Sequence, residues 1–158
     1  MKINGSQTKE KSEKVITMNK KAFHDYEILT KYDAGMVLTG TEVKSLRQHQ
    51  TSIRESYARV KNGEVWLINT NIPAYKFGSL ANHEPMRERK LLLHKNEIKK
   101  ITTKLQDKGF TLIPLKLYFL GSHAKIELGI ARGKKFYDKR EAIKRQDVKR
   151  RLKRVMSN

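Results

Sequence analysis

YARVKNGEVWLI, residues 57–68, decides the fold class. Tyr57 to Lys61 and Glu64 to Ile68 read as two short strands rich in β-branched, aromatic and apolar residues. Between them Asn62-Gly63 supplies the two positive φ angles of a type I′ turn, so the stretch reads as a β-hairpin. Downstream, Thr111 to Leu120 is long and β-rich, with Ile113, Leu115, Leu117 and Phe119 expected on one face. Lys125 to Ala131 alternates again and places Ile126, Leu128 and Ile130 inward. Upstream, Phe23 to Thr30 and Gly35 to Leu46 read as a further strand pair, the second ending in a helical turn. One helix interrupts: Lys95 to Lys108, with Ile98, Ile101 and Leu105 on one stripe and Gly109 as its stop. Six or so short strands with a helix late in the order predict a mainly β fold. The expected form is a small closed, oligonucleotide-binding-type (OB-like) β-barrel, which carries its one main helix between the third and fourth strands. There is no internal repeat.

Charge divides the chain differently. Lys and Arg number 35 against 16 acids over 158 residues, a formal net charge of +19 and a pI of about 10.2. Such a surplus repels itself within a compact fold and makes sense when a polyanion neutralises it. Residues 132–158 hold 12 basic and 3 acidic side chains, a net of +9. Their large apolar or aromatic residues are few, too few to offset the ordering entropy of a self-standing unit. Three regions follow: a polar N-terminal extension 1–14, disordered; a barrel domain 15–131; and a basic tail 132–158, disordered when free. In the tail, Val148, Leu152 and Val155 or Met156 recur three or four apart, so it can become a helix once its charge is neutralised.

Several function classes drop out. The absence of Cys excludes disulfides, thiol catalysis and Cys-based zinc sites. No 18-residue apolar run can span a membrane, no long basic amphipathic helix suits a membrane surface, and MKINGSQTKEKSEK contains no apolar stretch for a secretory signal. The expectation is a cytoplasmic monomer. Histidines at 24, 49, 83, 94 and 123 lack helical i, i+4 spacing and an accompanying acid motif, and read as surface or loop residues. Asp33 and Glu42 stand too far apart in sequence to be named a catalytic pair. No phosphate-cradling Gly-rich loop or nucleophile elbow is present. The chain is therefore expected to be no enzyme and to hold no metal or cofactor.

What remains is RNA binding. Arg87, Arg89, Lys90 and Lys95 surround Leu91-Leu92-Leu93 just before a helix N-terminus, itself favourable to anions. His94 lies within that cluster. In GTEVKSLR, residues 40–47, Val43 and Leu46 share one spacing and Lys44 and Arg47 another, so one face packs while the other offers cations. Glu42 among them either accepts hydrogen bonds from base edges or pairs with a neighbouring Arg or Lys, and the ion pair is the favoured reading. The tail opens with RGKKFYDKR, residues 132–140, where aromatics interleave with cations as stacking on unpaired bases requires.

These segments resemble one family, the SsrA-binding proteins, also called small protein B. The resemblance rests on NKKAFHDYEI at 19–28, AGMVLTGTEVKSLR at 34–47, NIPAY at 71–75, RERKLLLHK at 87–95, GFTLIPLKLYF at 109–119 and KIELGIARGKKFYDKR at 125–140. It implies an OB-type barrel that grips the tRNA-like domain of transfer-messenger RNA and carries it to the empty A site of stalled ribosomes for peptide tagging. The partners so implied are transfer-messenger RNA and the ribosome with its small-subunit rRNA. The other candidate is a small basic ribosomal or assembly protein held permanently in rRNA. The family's RNA contacts would map onto Asp33, Glu42, Lys44, Arg47, Leu92 and His94. Its decoding-centre contacts would map onto Gly133, Lys134, Lys135, Tyr137, Asp138, Lys139 and Arg140. The tail would fold along the empty mRNA channel, with Val155 and Met156 near its end. Relatives place Asn at the position of His94, His at that of Tyr137 and Glu at that of Asp33.

Overall fold

Six strands close into a ring. In the computed structural model, which describes residues 12–48, 51–78 and 81–156 and leaves out the side chains of 135–144, the elements run in the following order. They are β1 (Glu13–Met18), α1 (Lys20–Asp25), β2 (Tyr26–Met36), α2 (Gly40–Arg47), β3 (Tyr57–Lys61), β4 (Glu64–Ile68), β5 (Arg89–Leu92), α3 (Lys95–Leu105), β6 (Phe110–Leu120), β7 (His123–Gly133) and α4 (Lys134–Met156). The ring order is β6-β3-β4-β5-β2-β7, and β7 pairs back onto β6. All pairings are antiparallel, and β1 adds to the edge of β6. Closure leaves few open edges, which suits a small basic domain that must stay monodisperse. The interior is filled by Val65, Leu67, Leu91, Leu112, Leu117, Ile126 and Leu128, all essentially inaccessible. Each large aliphatic buried in this way contributes about 1.5–3 kcal/mol.

The hairpin at 57–68 has the expected turn, with Asn62 at φ 53° and Gly63 at φ 72°. Other expectations change. Phe23 to Thr30 and Gly35 to Leu46 are not a strand pair. Tyr26 to Met36 is one strand, Phe23 lies within α1, and residues 40–47 are the helix α2. The deciding signal is Thr39-x-x-Glu42, a capping box that starts a helix where the apolar residues alone suggested a strand. Arg89–Leu92, for which the sequence reading named no secondary structure, is the strand β5. Helix α3 stops at Leu105, and Gly109, at φ 88°, serves the turn into β6. The N-terminal boundary also shifts, because β1 starts at Glu13. Residues 1–11 of the expected extension lie outside the described residues.

The largest correction concerns β6. A bulge between Pro114 and Lys116 inserts one residue against β7 and switches which face each side chain takes. Leu112, Leu117 and Phe119 therefore point into the main core, while Ile113 and Leu115 join Ala22 and Ala131 in a second cluster beneath α1. Asn19 secures the irregularity. Its Nδ2 donates to the Pro114 carbonyl at 3.0 Å, its Oδ1 accepts from the Ala22 amide at 3.1 Å, and its own amide donates to the Leu115 carbonyl at 2.8 Å. Gly129 lies under Leu115, where a Cβ would come within 2.8 Å of the leucine Cδ1.

Candidate nucleic-acid interface

Helix α2 is fastened by its inner face. Thr39 caps it, and the Glu42 carboxylate accepts the Thr39 amide at 2.9 Å. The same carboxylate receives the guanidinium of Arg87 on one oxygen and that of Arg89 on the other. Glu42 and Arg89 have no exposed side-chain area. Arg89 also donates to the carbonyls of Thr70 at 2.7 Å and Pro85 at 3.0 Å. Burial alone would raise the Glu42 pKa, but the hydrogen bonds from Arg87, Thr39 and Arg89 outweigh it and hold the carboxyl below its usual range. Two further pins run beside it. Ser45 Oγ donates to the Pro73 carbonyl at 2.6 Å. His83 bridges Thr41 Oγ1 (2.9 Å) and the Ile72 carbonyl (2.8 Å).

This arrangement decides two open questions. Glu42 is an ion-pair partner, the favoured reading. Arg89, expected among the phosphate contacts, is an internal strut whose donors are spent on Glu42 and the carbonyls of Thr70, Glu84 and Pro85. His83, expected at the surface, is buried. Arg87 stays about one-third exposed while holding Glu42.

With its inner face pinned, α2 presents Lys44 and Arg47 outward. Lys44 Nζ stands 5.6 Å from the Tyr75 ring centroid, and Arg47 stands 5.9 Å from that of Phe119. Phe119 belongs to the closed end of the β6–β7 hairpin, where Leu120 pairs with His123. On the other side of that hairpin turn, Leu92 lies over Gly35, half exposed, in a notch that Leu120, His123 and Lys125 complete. One residue beyond Leu92, His94 and Lys95 stand at the exposed start of α3, where Glu97 Oε1 accepts the His94 amide at 3.1 Å. Asp33 is exposed on β2 and accepts a hydrogen bond from Tyr118 at 2.9 Å. The structure therefore gathers Arg47, Leu92 and His94 around one end of the barrel, with Asp33 along the adjoining sheet. Lys90 stands apart, paired to Glu64 across β4 and β5 at 2.9 Å.

The tail leaves from the other end. Gly133 closes β7 beside Phe110, the opposite end of the same hairpin. At ~3.3 Å per residue, β6 separates the two ends by roughly 30 Å. Arg132 is anchored to Glu27 at 2.9 Å, and Lys134 Nζ donates to the Phe23 carbonyl at 3.0 Å. The side chains of Lys135, Tyr137, Asp138, Lys139 and Arg140 lie outside the described residues. At the far end of α4, Val155 and Met156 are 75% and 86% exposed.

Two groups escaped the sequence reading. Lys125 faces outward by the alternation that placed Ile126 inward, so the signal was present. Tyr75 and Phe77 belong to a segment without periodicity, and only the structure places them beside α2. Among the described residues there is no cluster of His, Asp or Glu able to hold a metal ion, and no helix long and apolar enough to cross a membrane.

Comparison with known proteins adds a separate finding. A family profile described as SmpB protein matches residues 16–158. The SsrA-binding protein of Carboxydothermus hydrogenoformans is 54% identical over 144 residues, 91% of this chain and 97% of the relative. That of Syntrophobacter fumaroxidans is 54% identical over 155 residues, 98% of this chain and 96% of the relative. A solved chain from "tmRNA-SmpB: a journey to the center of the bacterial ribosome" is 51% identical. It aligns with a TM-score of 0.64 over 75% of this chain and 83% of its own length.

Proposed function

The chain belongs to the SmpB protein family, and on that premise we propose that it binds the tRNA-like domain of transfer-messenger RNA and delivers it to the empty A site of stalled ribosomes. The observation that carries this reading is kinship across nearly the whole chain, barrel and tail together. The charge agrees with it, since both parts carry the cations an RNA partner would neutralise.

The work divides between the two ends. At the closed hairpin end, Lys44 and Arg47 meet phosphates, while Leu92 and His94 rest against sugar or base. Asp33, held by Tyr118, accepts from a ribose hydroxyl or a base edge. Arg87, Lys90 and Lys95 add positive potential around that contact. Arg89 and Glu42 act through α2, by keeping it in register. At the tail root, Gly133, Lys134, Lys135, Tyr137, Asp138, Lys139 and Arg140 address the decoding centre. The tail exchanges between coil and helix when free, because like charges crowd its neighbouring turns, and rRNA phosphates stabilise the helix. Val155 and Met156 then reach along the mRNA channel. This role requires binding and positioning rather than bond chemistry, in the cytoplasm and without cofactor.

The test is twofold. Purified protein should shift a transcript of the tRNA-like domain, with affinity falling on salt addition at a log–log slope of roughly −3.5 to −4.5 for about five neutralised phosphates. It should also restore peptide tagging to stalled ribosomes depleted of the native factor. A slope near zero, or stoichiometric presence on all cellular ribosomes without enrichment of a tRNA-like RNA, would overturn the proposal.

A further inference from the structure

We propose that Phe77 is a stacking platform for an unpaired base of the transfer-messenger RNA; the choice of RNA rests on the function proposed above, whereas the platform itself rests on the geometry. Phe77 is 74% exposed, and among the described residues the next most exposed phenylalanine is Phe23 at 39%. So open a ring gains little from burial within the chain and leaves its face available to a partner.

The ring is not on a loose loop. The Gly78 amide donates to the Tyr75 carbonyl at 2.8 Å, closing a turn with Phe77 in its centre. Asn82 grips that turn from both sides: its Oδ1 accepts the Tyr75 amide at 3.2 Å, and its Nδ2 donates to the Tyr75 carbonyl at 2.8 Å. Glycine at position 78 gives Asn82 room to close on the turn, since a Cβ there would lie 2.5 Å from the Asn82 amide nitrogen and 3.0 Å from the Tyr75 carbonyl. Tyr75 then braces Phe77 edge to face, with centroids 5.8 Å apart and planes at 70°. The turn is thus built to hold a ring outward at fixed orientation, which lowers the entropy cost of stacking.

The surroundings select the partner. Lys76 Nζ stands 6.0 Å from the Phe77 centroid, and Lys44 Nζ stands 5.6 Å from that of Tyr75. Across α2 and residues 71–78 the only acid is Glu42, which is buried, whereas Lys44, Arg47 and Lys76 are exposed. Exposed rings interleaved with cations match a nucleotide, whose base offers a face and whose phosphate needs a counter-charge. A protein partner would call for adjoining apolar surface, and among the described residues 71–78 Ala74 is the only other exposed apolar one. The platform adjoins Lys44 on α2, so it enlarges the contact at the barrel and not the one at the tail.

The experiment compares the full chain with Phe77→Ala, Phe77→Leu and Phe77→Trp for binding to a transcript of the tRNA-like domain. A stacked base is expected to make Ala weaker by about tenfold. Leu should be nearly as weak, because it keeps apolar area but has no π face. Trp should match or exceed the original, and its emission, measured above that of Trp66, should quench on adding RNA. Thermal melting should stay unchanged for all three. Full affinity in Phe77→Ala, or in Phe77→Leu, would overturn the platform while leaving the RNA-binding reading intact. If the unaltered chain fails to bind the transcript, that reading itself fails. Loss of tagging by Phe77→Ala with undiminished transcript binding would assign the ring to the ribosome and overturn the proposal as stated.

Discussion

The barrel and the tail are two solutions to being basic. The barrel offsets much of its charge internally and at its surface. Lys116 meets Glu13 and Glu127, Lys31 meets Glu127, Lys90 meets Glu64, and Arg132 meets Glu27. Its shape comes from an apolar interior that needs no partner. The tail has 12 basic and 3 acidic residues in 27, and residues 145–156 of α4 are all exposed. That stretch is exposed along its whole length, so burial contributes little to its helix. One part carries a surface formed by its own core, and the other, on the function proposed above, takes its order from the rRNA it meets.

Removing the tail tests the division most severely. A chain ended after Gly133 keeps β7 and the Arg132–Glu27 contact, so the barrel should fold. Tagging on stalled ribosomes should fall to background, while affinity for the tRNA-like domain drops less than about tenfold at moderate salt. Equal loss of both would merge the two parts into one RNA site. Normal tagging would reduce the tail to a nonspecific arm.

Next in size is the pin beneath α2. Glu42→Gln leaves Arg89 buried against a neutral partner and should cost about 3–5 kcal/mol, read by urea unfolding. RNA affinity of the remaining folded molecules should hold, since Glu42 faces inward. The pH dependence follows in sign. The folded pKa of Glu42 lies below the ordinary carboxyl value of 4.5, so its stabilisation is complete above that value. It is lost as pH falls through the lower folded value. Acid unfolding of the original chain should therefore be steeper than that of Glu42→Gln, and parallel curves would remove Glu42 from the account.

A smaller effect separates the surfaces. Lys44→Ala should weaken transcript binding a few-fold and reduce the salt slope by about 1. The matching change in the tail, Lys149→Ala, should leave transcript binding unaltered. Reversal of that order would place the primary RNA contact on α4. Smallest of all is the stability effect of Val155→Ser with Met156→Ser. Both residues are exposed, so unfolding free energy should move by no more than about 0.5 kcal/mol, while tagging declines. A clear drop in melting temperature would mean that the tail packs on the barrel.

The hairpin at 57–68, the inward set Ile126, Leu128 and Ile130, the main helix and the charge-rich tail were legible because each is written in neighbouring residues. So were Lys44 and Arg47, whose spacing from Val43 and Leu46 defines opposite faces of α2. The misreadings share one cause. Residues 40–47 depend on a single cap, and β6 depends on a bulge whose clamp, Asn19, is distant in sequence.

Composition and local pattern by themselves determined that this is a small β-barrel with a basic tail and an anionic partner. Net charge, hairpin turns and alternation are sums or short-range relations along the chain. Only the tertiary structure decided which cations stand in water. Arg87, Arg89 and Lys90 look alike in sequence, yet one holds Glu42 from the rim, one is sealed inside, and one pairs across the sheet. The physical reason is that a charge's role depends on its distance from partners brought together by folding. Glu42 and Arg89 are 47 positions apart in the chain and share a hydrogen bond in the fold.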